Sequence, residues 1–143
     1  MPSEIATLKQ ILRGTLLADP TVSGLVSSRV YGVHLQSADA ATVLTDGPLV
    51  VFEMLAGFAA WHGSVMRQTV EIYAYSKRSS DEATQVYDAA FNAIQHSRVS
   101  VDGVVMRALS REVQRPLDGW NNDLRAWFVR GRWSMSAVSG GVP

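Results

Sequence analysis

Residues 64–76 constrain the fold of this chain more tightly than any other stretch. Met66, Gln68, Val70, Ile72 and Ala74 fall on one side of a period-two pattern, and Arg67, Thr69, Glu71, Tyr73 and Tyr75 on the other. Side chains alternate between faces along an extended chain, so this is a strand with one core face and one face for water or a partner. A half-apolar strand needs a neighbour, and residues 48–58 supply one. Val50, Phe52, Met54 and Ala56 share one face there, with Leu49, Val51, Glu53 and Leu55 on the other. Gly57 marks an expected bulge or bend, and Trp61-His62-Gly63 the expected hairpin tip.

Helical spacing brackets this hairpin. Ser3 is placed to cap a helix whose face carries Ile5, Leu8, Leu12 and Leu16, with Ile11 on the flank. It should end near Asp19-Pro20, because the residue before a proline disfavours helical geometry. Residues 21–28 read as a turn with a short helical or irregular piece, and 29–35 as a short strand. After the hairpin, Ser79 with Glu82 three residues on predicts a capping box. The stripe Ala83, Val86, Tyr87, Ala90, Phe91 and Ile94 follows it.

Two more long strands are expected, over 99–109 and 124–137, the first with a turn or bulge at Asp102-Gly103. In the second, Trp127, Val129, Trp133 and Met135 face one way and Phe128, Arg130, Arg132 and Ser134 the other. Residues 36–47, rich in Ser, Ala, Asp and Thr without clear periodicity, read as a long loop. Residues 112–123, around Pro116, Asp118-Gly119 and Asn121-Asn122, read as another. Short connections imply antiparallel pairing. The expected architecture is α+β: two helices packed on one face of a mainly antiparallel four-stranded sheet, with long loops. At 143 residues this is one domain, 1–137, with a loose Ser/Gly-rich tail over 138–143.

Composition removes several functions. Thirteen basic residues balance thirteen acidic ones, whereas a chain that grips nucleic acid by counterion release carries a basic excess. The chain has no cysteine, which excludes disulfides, thiolate metal sites and thiol nucleophiles. No run of about 18 apolar residues is present to span a membrane as a helix. The first residues lack the basic flank and apolar block of a signal peptide, so synthesis in a cytoplasm is expected.

The catalytic inventory is thin. His34, His62 and His96 lack metal-ligand spacing. There is no nucleophile elbow and no phosphate-binding glycine loop. Glu53 and Glu71 are placed to face each other across the hairpin, each expected to pair with an arginine such as Arg67 or Arg130. No enzyme activity, cofactor or metal is expected. Surfaces carry more information. Four tryptophans are present, and Trp61 and Trp120 fall in expected loops, Trp120 beside Arg115. Tryptophan and arginine are enriched at interface hot spots; the alternative is that these rings fold back as lids on the sheet edge. Trp127 and Trp133 read as core. The interface candidates are Trp61, His62, Arg115, Trp120, Arg130 and Arg132, with Asp39 and Asp46 from the loop 36–47. An open sheet also leaves two unpaired edges, and an edge that meets a neighbour's different surface builds a ring or a filament.

One stretch is familiar. Residues 12–31 (LRGTLLADPTVSGLVSSRVY) run from a helix ending in Leu17-Ala18-Asp19-Pro20, through Leu25-Val26, to Arg29-Val30-Tyr31. Pro48-Leu49-Val50-Val51-Phe52, the strand 70–76 and the closing strand 125–134 follow in order. Across residues 8–136 this order resembles the tail completion or tail terminator family of long-tailed bacteriophages and gene transfer agents. The sequence departs from that pattern at 36–47 and 112–123. The resemblance implies a small α+β virion protein forming a six-fold ring at the head-proximal end of the tail tube. Such a ring ends tube polymerisation and joins tail to head. It implies as partners the tail tube protein, a head-closure or neck protein, and double-stranded DNA passing unread through the lumen; it implies no catalysis. The alternatives are a head-closure or adaptor subunit of the neck, or a small cytosolic ligand-binding α+β protein. Two expectations follow: deleting 36–47 should spare folding but impair assembly, and Trp120→Ala should weaken assembly more than stability.

Overall fold

The computed structural model describes residues 4–32, 37–59, 65–95, 98–101 and 104–138. The chain opens with helix α1 (Glu4–Ala18), which ends where expected. Asp19 then caps a separate helix, α2 (Pro20–Val26), its carboxylate accepting from the backbone N–H groups of Thr21 and Val22. Pro20 takes the first position, where a missing N–H costs nothing. Ser27 closes α2 with φ 56° and ψ −121°, a left-handed backbone that a non-glycine residue adopts under strain.

Strand β1 (Val30–Tyr31) pairs in parallel with β2 (Leu49–Ala59), Val30 opposite Val50. A parallel pair cannot be joined by a tight turn, so the chain must cross over. It does so through helix α3 (Ser37–Asp46), which occupies the stretch read from sequence as a loop. The missed helix has only a narrow apolar stripe, with Ala40 and Leu44 buried and Val43 half-buried. β2 and β3 (Val65–Ser76) form the expected antiparallel hairpin, and the register shifts between Met54 and Gly57, at the glycine expected to bulge. Its tip, with Trp61 and His62, lies outside the described residues.

Helix α4 (Ser80–Ile94) follows, and the Ser79 Oγ accepts from the Glu82 N–H at 3.0 Å. The other half of the expected capping box differs. The Glu82 carboxylate instead accepts from the Ser76 Oγ at 2.7 Å, and that oxygen takes the Arg78 and Ser79 N–H groups. β4 (Arg98–Val101) and β5 (Val104–Asn121) replace the single strand expected over 99–109. β5 also absorbs most of the expected 112–123 loop. Its register against β6 (Ala126–Val138) shifts three times, and Pro116 falls in the shift between Gln114 and Leu117, where no N–H is demanded. Val138 ends β6, and the rest of the expected tail lies outside the described residues.

Among the described residues the sheet therefore has six strands in the order β1-β2-β3-β6-β5-β4, all antiparallel except β1 with β2. This corrects the four-stranded expectation. Four helices among the described residues replace the expected two, and they do not share a face. α1, α2 and α4 bury Leu12, Leu16, Val22, Val26, Val86 and Ala90 against Val50, Phe52, Val70, Ile72, Ala74 and Trp133. α3 lies on the opposite face, where Leu44 meets Leu49, Val51, Tyr75 and Ala126 in a second, smaller core.

Candidate assembly interface

The two cores leave three kinds of surface. The first is the sheet face beyond α3. Alternation puts Glu71, Tyr73, Arg130 and Arg132 there, on neighbouring strands, with Glu71 opposite Arg132 and Tyr73 opposite Arg130. Glu71 is buried and also sits opposite Glu53, a like-charge cross-strand pair that is unfavourable by itself. The arginines offset it. Arg132 donates to Glu71 at 2.9 Å, Arg130 lies 3.7 Å from the same carboxylate, and the Tyr73 hydroxyl donates to it at 2.8 Å. Burial alone would raise the Glu71 pKa. The Tyr73 and Arg132 hydrogen bonds and the two guanidinium charges win, and hold it below the usual carboxylate range. Burial and the bond to Glu71 push Tyr73 up, and deeper burial pushes Tyr75 up further. Glu71 thus pairs with an arginine as expected, and Arg130 and Arg132 are engaged within the chain. Arg132 Nε is buried and has no hydrogen-bond partner among the described residues.

The second surface is the tip of the β5–β6 hairpin. β3 ends opposite Trp127, so the hairpin runs on past it. Trp120 and Trp127 are directly opposed across β5 and β6 and meet edge to face, with centroids 4.8 Å apart. They stay 44% and 38% exposed. Trp127 is therefore not core, while Trp133 is: it is fully buried, packs on Phe91 and donates its indole N–H to Tyr87 Oη at 3.1 Å. Trp120 stands at the end of a strand rather than in a loop. Arg115 lies in the same strand by its backbone.

The third surface is a cleft at the same end of the sheet, where α2, α3 and the start of α4 converge. It encloses about 630 Å³ and is lined by Arg29, Asp46, Lys77, Arg78 and Glu82, with Gly24 and Leu25 from α2. Arg29 donates from Nε to the Pro48 carbonyl at 2.8 Å, tying the α2 end to the start of β2. Gly47, at φ +151°, leaves room for that guanidinium, which any side chain there would meet. Lys77 Nζ donates to the Ala41 carbonyl at 3.4 Å, and Arg78, 84% exposed, lies 3.7 Å from Glu82. Asp46 is exposed at the C-terminal end of α3, where the helix dipole does not favour an acid. Asp39 is exposed in its first turn, where it does.

The candidates thus divide. Asp46 joins the cleft, Trp120 the hairpin tip, and Arg130 and Arg132 the polar face. Sequence reading missed Arg29, Lys77 and Arg78. The available signal was the strand-to-helix joint at 76–80, since residues at such a joint always sit at a sheet end. Among the described residues no group of three or more His, Asp or Glu side chains is placed to hold a metal ion, and no helix is long and apolar enough to cross a membrane. His34, His62 and His96 lie outside the described residues.

Both sheet edges are short of partners. β1 covers only Val50 and Val51 of β2, and β4 covers β5 only from Val104 to Arg107. Beyond those pairs, among the described residues, β2 and β5 present open edges.

Three layers of this kind, with helices on both faces of a mixed sheet and free edges on either side, define an α+β domain. No protein-family model matches the sequence, and no curated protein matches it. Among solved structures, a chain from the virion of a native gene transfer agent particle is similar in fold, with a TM-score of 0.57 at 16% identity. The likeness covers 97% of this chain and 100% of that one. At that identity it establishes a shared fold.

Proposed function

We propose that this chain is a structural virion protein that assembles into a ring at the head-proximal end of a phage-type tail, ending tube growth and joining tail to head. The observation that carries the reading is the fold likeness to a gene transfer agent virion chain over essentially the full length of both. The open edges on β2 and β5 support it, because they are different surfaces on opposite sides of one sheet. A contact between unlike surfaces repeats from copy to copy and closes into a ring when the rotation allows. The partners on this reading are further copies of the chain, the tail tube protein and a head-closure or neck protein. Double-stranded DNA would pass through the lumen, and the balanced charge of the chain suits passage without capture. No catalytic step and no cofactor belong to the reading.

The test is native mass spectrometry of the purified protein over a concentration series, with electron microscopy of the same samples. A closed hexamer is expected. A stable dimer with no ring at any concentration would overturn the proposal.

A further inference from the structure

We propose that the sheet face beyond α3 binds duplex DNA through its phosphate backbone, without reading sequence. The inference goes beyond the ring reading and does not depend on it. The chain is neutral as a whole, but backbone register gathers its arginines. Residues paired directly across neighbouring strands share a face. Arg132 and Arg130 of β6 stand opposite Glu71 and Tyr73 of β3, which fixes the face in question. One row further from α3, Ser134 of β6 stands between Thr69 of β3 and Arg111 of β5. In the next row Ser136 stands between Arg67 and Arg107, and Arg107 in turn stands opposite Arg98 of β4. Six of the chain's eleven arginines therefore fall on one face of four adjacent strands. Among the described residues, the acids that register places on that face are Glu53 and Glu71, while Glu112, opposite Trp133, falls on the other. Asp81, Glu82 and Asp88 of α4 are among the acids that restore the overall balance, across the sheet from this face.

This placement carries an uncompensated cost. Arg98 opposite Arg107 is a like-charge cross-strand pair, unfavourable by itself. The register sets no acid directly opposite Arg67, Arg98, Arg107 or Arg111. Nearer α3, one carboxylate serves two guanidiniums, and Arg132 Nε stays buried with no hydrogen-bond partner among the described residues. An anion laid along these rows would offset both.

The layout fits a phosphate backbone. Strands lie ~4.8 Å apart, so the row from Arg67 to Arg98 spans about 14 Å. Over that length a duplex presents about eight phosphates. Ser134, Ser136 and Thr69 interleave the arginines, and hydroxyl and guanidinium groups are what proteins use to contact phosphate. Between β3 and β5 these rows carry no aromatic residue, which favours backbone contact over base stacking. Among the described elements no helix covers the rows. α3 packs at the other end of this face, and α1, α2 and α4 pack on the opposite one.

The test is fluorescence anisotropy of a labelled duplex of about 30 base pairs, titrated with the purified protein between ~50 and ~200 mM salt. One phosphate for each of the four arginines outside the Glu71 cluster predicts a slope of about −3.6 in log binding constant against log salt, a loss of about 100-fold over that range. Arg67→Gln and Arg107→Gln should each reduce the slope by about one, equally on two unrelated sequences. Arg13→Gln, exposed on α1 across the sheet, should leave binding unchanged. Glu71→Gln should tighten binding by about threefold, because it releases Arg130 and Arg132 to the DNA, and a gain of this kind cannot come from misfolding. Melting curves check that each variant folds. No binding at low salt, or binding that Arg13→Gln weakens as much as Arg107→Gln, overturns the proposal. So does binding to polyglutamate in place of the duplex, which would assign the face to an acidic protein surface. Duplex binding by a chain that forms no ring keeps this inference and removes the ring reading, and a ring that binds no duplex does the reverse.

Discussion

The two faces of the sheet are built from the same strands and held by different physics. On the helix-rich face, Val50, Phe52, Val70, Ile72, Ala74 and Trp133 lie against three helices in one continuous apolar core. On the other face, α3 covers Leu49, Val51 and Tyr75 at one end, and beyond it the same strands present Glu71, Tyr73, Arg130 and Arg132. Apolar burial is non-directional and tolerates some rearrangement. A charge cluster needs each partner at its register position, and a single-residue slip would send every member to the wrong face. The comparison teaches that the apolar face supplies most of the stability and the polar face fixes which residues stand opposite one another.

The largest effect should come from emptying the apolar face. Phe52→Ala removes a fully buried ring and should cost about 3–5 kcal/mol in denaturant unfolding. Gly131→Ala should follow, at about 1–3 kcal/mol, because the added Cβ would run into Tyr87 Oη, which is held by the indole N–H of Trp133. A neutral outcome there would mean that the helix-rich face repacks as freely as a liquid. On the polar face, Glu71→Gln should cost about 1 kcal/mol, since Arg132 is 42% exposed and water screens the pair. The sign of its pH dependence is fixed by the lowered pKa. The Glu71 contribution is fully present above the ordinary glutamate value of ~4.3 and is lost as pH falls through the group's own lower value. The gap between wild type and Glu71→Gln should therefore close in acid, in thermal melts run as a pH series. The smallest effect lies in neither face. Ser27→Gly should stabilise by about 0.5–1 kcal/mol, relieving the positive φ that ends α2.

The same contrast explains what the sequence made legible. The alternation at 66–75 announced both faces at once, because an apolar core imposes period two on any strand it touches. The Asp19-Pro20 boundary and the Ser79 cap were also legible, since each is local chemistry. α3 was not. Its helix covers only one end of the sheet, so Ala40, Val43 and Leu44 suffice and no long stripe develops. Deleting 36–47 would therefore remove the crossover between two parallel strands and open the second core, which corrects the expectation that folding would be spared. β5 was hidden for a different reason. Pro116, Asp118-Gly119 and Asn121 are turn formers, and a bulged strand with an open outer edge accommodates them at little cost. Trp127 was misread because strand alternation says which face a ring is on, not whether helices reach that far. The cleft was invisible, since it brings Arg29, Asp46 and Lys77 together from three separate elements.

The Ser76 hydroxyl, which takes the Arg78 and Ser79 N–H groups and donates to Glu82, has a consequence in time as well as in space. All of its partners lie within six residues, whereas Glu71 and Arg132 are separated by 61. Closing a short loop forfeits little chain entropy, so contacts of this range can form before distant strands meet. The corner where β3 turns into α4 is thus placed to organise early in the folding reaction. The arginine cluster can only lock once β6, which follows every other strand of the sheet in chain order, has found its place in the middle of the sheet.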